Sequence, residues 1–220
     1  MTDNKTAAIA AILRKRFDLR PRNILVVGCG SGLEAAILAE TFNANVTGID
    51  ITDEFDAQAG KKVRLEVADA TSMTFADEEF DCVYSYHALE HIPDFRAALR
   101  HMRRVLAPGG GWCVGTPNRS RLIGYLGSKD ATLVEKLRWN MADWSMMLRG
   151  RFRNEFGAHA GFTAGELSGE LKTTFGDAID ITRDYYDQIY ERHVGKLAFV
   201  TGAGFGKFIL PSVYFAGRLQ

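Results

Sequence analysis

Two imidazoles and a carboxylate stand close together in the stretch His87-Ala88-Leu89-Glu90-His91. An imidazole with an ordinary pKa of about 6.5 exchanges a proton near neutrality, so His87 and His91 are candidates for general acid–base work. The same letters spell His-x-x-Glu-His, a spacing known from zinc peptidases. That reading needs a long helix and a further ligand, and Pro93 arrives too soon for the helix, so no metal-ligand set is assigned.

A second constellation lies upstream. Ile24-Leu-Val-Val27 reads as a strand buried on both faces, and Gly28, Gly30 and Gly32 follow it as a tight turn where a ligand can approach bare backbone. A dinucleotide fingerprint would place its third glycine at position 33, where this chain has Leu33. A nicotinamide oxidoreductase is therefore the disfavoured reading. The run Val46 to Ile49 ends at Asp50, 22 residues after Gly28. That is close to the roughly 20-residue offset at which an acid on a second strand takes a ribose diol. Val63 to Ala68 predicts a third strand ending at Asp69, and Phe80 to Ser85 a fourth.

These ordered motifs resemble the class I S-adenosylmethionine-dependent methyltransferases of the small-molecule type. The resemblance is strong over about residues 23–116. It implies an α/β, Rossmann-like seven-stranded sheet, mostly parallel with an antiparallel final strand and helices on both faces. It also implies S-adenosyl-L-methionine as cofactor. Gly28, Gly30 and Gly32 would pass under its methionine part, Asp50 would hold the ribose, and Ile51 would lie on the adenine. Asp69 would accept from the adenine amino group beside Ala70. Ser85 to Ile92, with His87 and His91, would sit next to the transferable methyl. A side likeness is to ubiquinone-biosynthetic O-methyltransferases, through Glu90-His91 and Thr116-Pro117-Asn118-Arg119. Position 26 is valine where the family commonly carries an acid, and the alternative reading is a catalytically silent cofactor-binding scaffold or partner protein.

A single domain over 1–220 is expected, with a leading amphipathic helix at 6–17 and a substrate-side insertion at about 117–161. Phe95, Leu99, Met102 and Leu106 give a helix closed by Pro108-Gly109-Gly110, with strand five at Trp112 to Thr116. In the insertion, Asp130 is the expected cap of a helix aligning Leu133, Leu137, Met141, Trp144 and Leu148, read as core; Trp139, Trp144, Met146 and Met147 are the alternative pocket lining. Thr163-Ala-Gly-Glu166 is a capping box for a helix carrying Leu167, Leu171 and Phe175. His159 and Phe162 precede it as lid candidates. Ala178 to Tyr185 is expected as strand six and Ser212 to Arg218 as strand seven.

Basic and acidic residues balance at 27 each, so no global field invites nucleic acid. The insertion holds a local basic excess suited to an anionic acceptor or surface. Cys29, Cys82 and Cys113 lack metal or redox spacing and fall in or beside strands, which with no visible secretory signal predicts a reduced, cytoplasmic protein. Residues 197–210 are apolar but too short to span a bilayer, so cover for the sheet or pocket is expected, with peripheral membrane contact the minor alternative. The partner is a small-molecule acceptor, aromatic or anionic, methylated at oxygen or nitrogen.

Overall fold

A computed structural model describes residues 4–125, 131–156, 159–190 and 206–220. Seven strands form one sheet in the order β3-β2-β1-β4-β5-β7-β6. They are β1 Asn23–Val27, β2 Asn45–Asp50, β3 Arg64–Val67, β4 Phe80–Tyr86, β5 Leu106–Pro117, β6 Ile179–Asp180 and β7 Ser212–Arg218. Neighbours from β3 to β5 pair in parallel, and β7 runs antiparallel to both β5 and β6. The central strands are aliphatic because both their faces are covered.

One face packs on α1 Asn4–Phe17, α2 Leu33–Phe42 and α6 Thr182–Ile189, through Ile9, Leu13, Leu38 and Tyr185. The other packs on α3 Phe95–Val105 and α5 Ala164–Phe175, where Trp112 stacks on Phe175 at 4.7 Å. The predicted box at the start of α5 is complete: Thr163 accepts from the Glu166 amide, and the Glu166 carboxylate accepts from Thr163. Cys29, Cys82 and Cys113 are free and buried, and burial pushes the Cys29 and Cys82 thiols up to about 12.

Four expectations need correction. Strand six is only two residues long, because the Asp180 carboxylate accepts from the Thr182 amide and turns the chain into α6. Thr182, Tyr185, Tyr186 and Ile189 then recur at helical spacing on the packed side. Helix α3 ends at Val105 rather than at the glycines, and Leu106 already pairs with Phe80; the ladder resumes at Cys82 and Gly111, leaving Pro108 to Gly110 in a bulge. Helix α4, Leu133–Leu148, is capped by Thr132 and Glu135, while Asp130 lies outside the described residues. The α4 stripe is not core: Leu133 is 85% and Leu148 90% exposed. Most of the apolar run 197–210 also lies outside the described residues. No helix among the described residues is long and apolar enough to cross a membrane.

Candidate functional site

The strand order reverses between β1 and β4, and the carboxyl ends of β1 to β4 meet there, which is where open α/β sheets receive ligands. The glycine turn is drawn onto β2: the amides of Gly28 and Cys29 both donate to the Ile49 carbonyl, at 2.9 and 3.0 Å. Gly28, Gly30 and Gly32 all have positive φ. Asp50 secures the same turn, its Oδ2 accepting from the Gly30 amide at 2.8 Å and its Oδ1 from the Thr52 amide at 3.2 Å. Sequence spacing alone misses this second task. Asp69 accepts from the amide and hydroxyl of Thr71, and those two bonds lower its pKa.

Around that turn the chain leaves room and unspent groups. A Cβ built on Gly30 meets nothing within 4 Å, whereas one on Gly32 would strike Leu65. Ile51, a large aliphatic side chain at the tip of β2, is 68% exposed. Ala70 is buried beneath the Asp69 loop. Ser85, the next-to-last residue of β4, has a buried Oγ with no hydrogen-bond partner. An open backbone cradle, an apolar platform, carboxylates and a buried hydroxyl at one sheet edge fit a nucleoside joined to an amino acid.

The segment after β4 forms a wall with two sides. Toward the turn, Ala88 fills the space beside Gly28 so closely that a Cβ on Gly28 would lie 2.2 Å from that of Ala88. Toward the other side, His87, Glu90 and His91 line a cavity of about 460 Å³. Tyr86, Tyr185, Tyr186, Tyr190 and Tyr214 supply most of its aromatic wall, with Lys5, Arg121, Tyr125 and His159. Tyr86 stacks on His87 at 4.4 Å, and Tyr185 packs on Tyr214 at 4.2 Å. Tyr86 falls inside the Ser85–Ile92 stretch singled out in the sequence, whereas the other tyrosines come from distant segments that sequence reading does not connect to it. Another cavity, of about 550 Å³, lies at the opposite end of the sheet, around Asn23, Asn45 and Lys62.

His87 has φ of +53°, and its Nε2 is buried without a partner. Burial, with Lys5 and Arg121 nearby, lowers its pKa to about 3, so the ring is neutral at pH 7. His91 is more open; burial and the edge-on ring of His159 at 4.8 Å hold its pKa below the usual histidine range. Glu90 was not among the sequence candidates, yet its side chain is 1% exposed with Oε2 unpartnered, and burial raises it to about 7. Its nearest ionic neighbour is His91 Nε2, at 3.9 Å.

Glu90 therefore sets a pH dependence of stability. Its folded pKa exceeds the ordinary value of 4.5, so the folded chain holds this proton longer than the unfolded chain. Stability is full below about pH 4.5 and falls by about 3 kcal/mol as pH rises through 7. Relative to wild type, Glu90→Gln is expected to gain roughly 6 to 12 °C in melting temperature between pH 4.5 and 8. A difference that stays flat with pH would contradict a buried, protonated Glu90.

Other candidates find different places. Phe162 is core, packed edge-on against Phe95 at 4.9 Å, and is no lid. Trp139, Trp144, Met146 and Met147 do not line the 460 Å³ cavity; Trp139 instead packs against Tyr125 at 5.1 Å. Asn118 is a turn residue, donating to the Lys207 and Leu210 carbonyls at 2.8 Å each, and Arg119 pairs with Glu166.

The sheet order, the lone antiparallel β7 and the glycine turn at the switch point define the class I S-adenosylmethionine-dependent methyltransferase fold, whose cofactor is S-adenosylmethionine. Residues 25–114 match the family model described as "Methyltransferase domain". Among curated relatives, an O-methyltransferase of Pyrenophora dematioidea is 37% identical over 103 residues, covering 41% of this chain and 39% of that protein. The 27-O-demethylrifamycin SV methyltransferase of Amycolatopsis mediterranei is 34% identical over 123 residues, covering 52% and 44%. The alignments thus span less than half the length of these relatives. A solved structure of Haemonchus contortus phosphoethanolamine N-methyltransferase 2, in complex with phosphomonomethylethanolamine and S-adenosylhomocysteine, shares the fold. Its TM-score is 0.60 at 19% identity, covering all of this chain and 53% of that one.

Proposed function

We propose that this protein transfers a methyl group from S-adenosylmethionine to an oxygen or nitrogen of a small molecule with an apolar or aromatic body. The observation that carries this reading is the two-sided wall at 87–91, which puts the glycine turn against one side and an aromatic cavity against the other. In this reading Gly28, Gly30 and Gly32 admit the cofactor to bare backbone. Asp50 takes the ribose and Ile51 and Ala70 bracket the adenine, with Asp69 accepting from its amino group and Ser85 donating near the methionine end. The cofactor supplies an electrophilic methyl, and the chain supplies position and a dry cavity.

His87 and His91 divide the work on the acceptor. Neutral, buried His87 accepts a hydrogen bond at Nε2 and orients the acceptor. Half-exposed His91 takes the acceptor's proton and passes it to water. The tyrosine wall favours a flat or aromatic acceptor, and Lys5 in the lining suits a negative group.

Methyl transfer to a panel of phenols, amines and anionic acceptors, read by release of S-adenosylhomocysteine, tests the reading. With any hydroxyl acceptor found, His91→Gln should lower kcat on the order of 10²-fold or more while leaving S-adenosylhomocysteine affinity unchanged. Binding without turnover across the panel would favour the silent-scaffold alternative.

A further inference from the structure

Helix α4 is mounted with its polar side toward the protein. Asn140 clasps the backbone of Gly124, accepting from its amide at 2.7 Å and donating to its carbonyl at 3.3 Å. Asp143 pairs with Arg121 at 3.2 Å, and Trp144 Nε1 donates to the Leu122 carbonyl at 2.6 Å. The apolar stripe that would ordinarily be buried points outward instead: Leu133, Val134, Leu137, Met141 and Leu148 are all exposed. Leu122 and Ile123, in the strand-to-helix connection beside Trp144, extend the patch.

The charge around this stripe is mostly positive. Arg138, Arg149 and Arg153 are exposed next to it. The two acids on the helix are occupied elsewhere, Glu135 in the Thr132 capping box and Asp143 on Arg121. An outward apolar face with a tryptophan at its margin and arginines along its rim is what an interfacial helix needs: the aliphatic groups enter the acyl boundary while the guanidinium groups stay with anionic headgroups. The same helix stands at the acceptor cavity, since Trp139 packs on Tyr125 and Asp143 holds Arg121, and both partners line that cavity.

We propose that α4 docks this protein onto an anionic lipid surface, lying in the interface without crossing it and presenting the cavity mouth to the bilayer. The docking does not depend on methyl transfer, so the two stand or fall separately.

Cosedimentation with vesicles of mixed phosphatidylglycerol and phosphatidylcholine tests it, alongside vesicles of phosphatidylcholine alone. Binding is expected to the anionic vesicles, to weaken several-fold as salt rises, and to fall on the order of tenfold or more in Leu137→Glu/Met141→Glu. These side chains are exposed, so the double variant should keep the wild-type melting temperature and S-adenosylhomocysteine affinity. No binding to anionic vesicles, or binding that the double variant does not change, overturns the proposal. So does a dimer in size-exclusion chromatography that the variant dissociates, which would make a second copy the occupant. A lower melting temperature in the variant overturns it as well, since the stripe would then be covered by its own chain.

Discussion

Gly28→Ala is expected to destabilise the protein by about 3 kcal/mol and to lower its melting temperature by roughly 6 to 12 °C. The backbone there has φ of +72°, and the new Cβ would sit 2.2 Å from the Ala88 Cβ and 3.5 Å from its Cα. Neither neighbour is the end of a flexible side chain, so the turn and the wall after β4 must separate. Since that wall also carries His87 and His91, binding on both of its sides should fail together. Gly30→Ala is the matched control: its φ is +50° and its Cβ meets open space. It should cost about 1 kcal/mol of stability while weakening S-adenosylhomocysteine binding. Thermal melts and titrations of the pair separate a folding effect from a binding effect. Equal melting temperatures for the two variants would contradict the close approach at Ala88.

Arg121→Ala should be the most damaging change between β5 and α5. The Arg121 side chain is 5% exposed and is surrounded by acceptors: the carbonyls of Asn118, His159 and Ala160 at 3.2, 3.0 and 3.3 Å, and Asp143 at 3.2 Å. Its guanidinium also lies 5.1 Å from the Phe152 ring centre. One planar fork thus ties the end of β5, the loop before α5 and helix α4 together. Burial already raises the pKa of Asp143 despite this partner. Removing the arginine leaves the Asp143 carboxylate without its ion partner and the His159 and Ala160 carbonyls unserved, at a cost of about 3–5 kcal/mol. Arg121→Lys should recover less than half, because an ammonium cannot reach the same set. Arg121→Ala/Asp143→Ala should be more stable than Arg121→Ala alone. A single variant that melts with wild type would show that α4 and the loop before α5 are held by other contacts.

The parts of this fold that could be read in sequence are those where local chemistry and tertiary demand agree. Ile24 to Gly32, Asp50 at the end of β2, the Thr163–Glu166 box and the small-residue alternation of β7 each specify their own backbone. Strand six was expected over Ala178 to Tyr185, and the turn at Asp180 decided otherwise, although the spacing of Thr182, Tyr185, Tyr186 and Ile189 carried a usable helical signal. At α4 periodicity identified which residues share a stripe but not which side faces the protein. That choice was made by Arg121 and Gly124, which reach α4 from outside it. Glu90 was readable only as part of a motif, because its chemical interest comes from burial. The tyrosine wall has no sequence signature at all, being assembled from β4, α6 and β7.

Calorimetric titration of the purified protein with S-adenosylmethionine, S-adenosylhomocysteine and NAD in parallel tests whether the glycine turn receives a sulfur nucleoside. Binding of both sulfur nucleosides, with none of NAD, is the predicted result. Binding of NAD alone, or of none of the three, would contradict it.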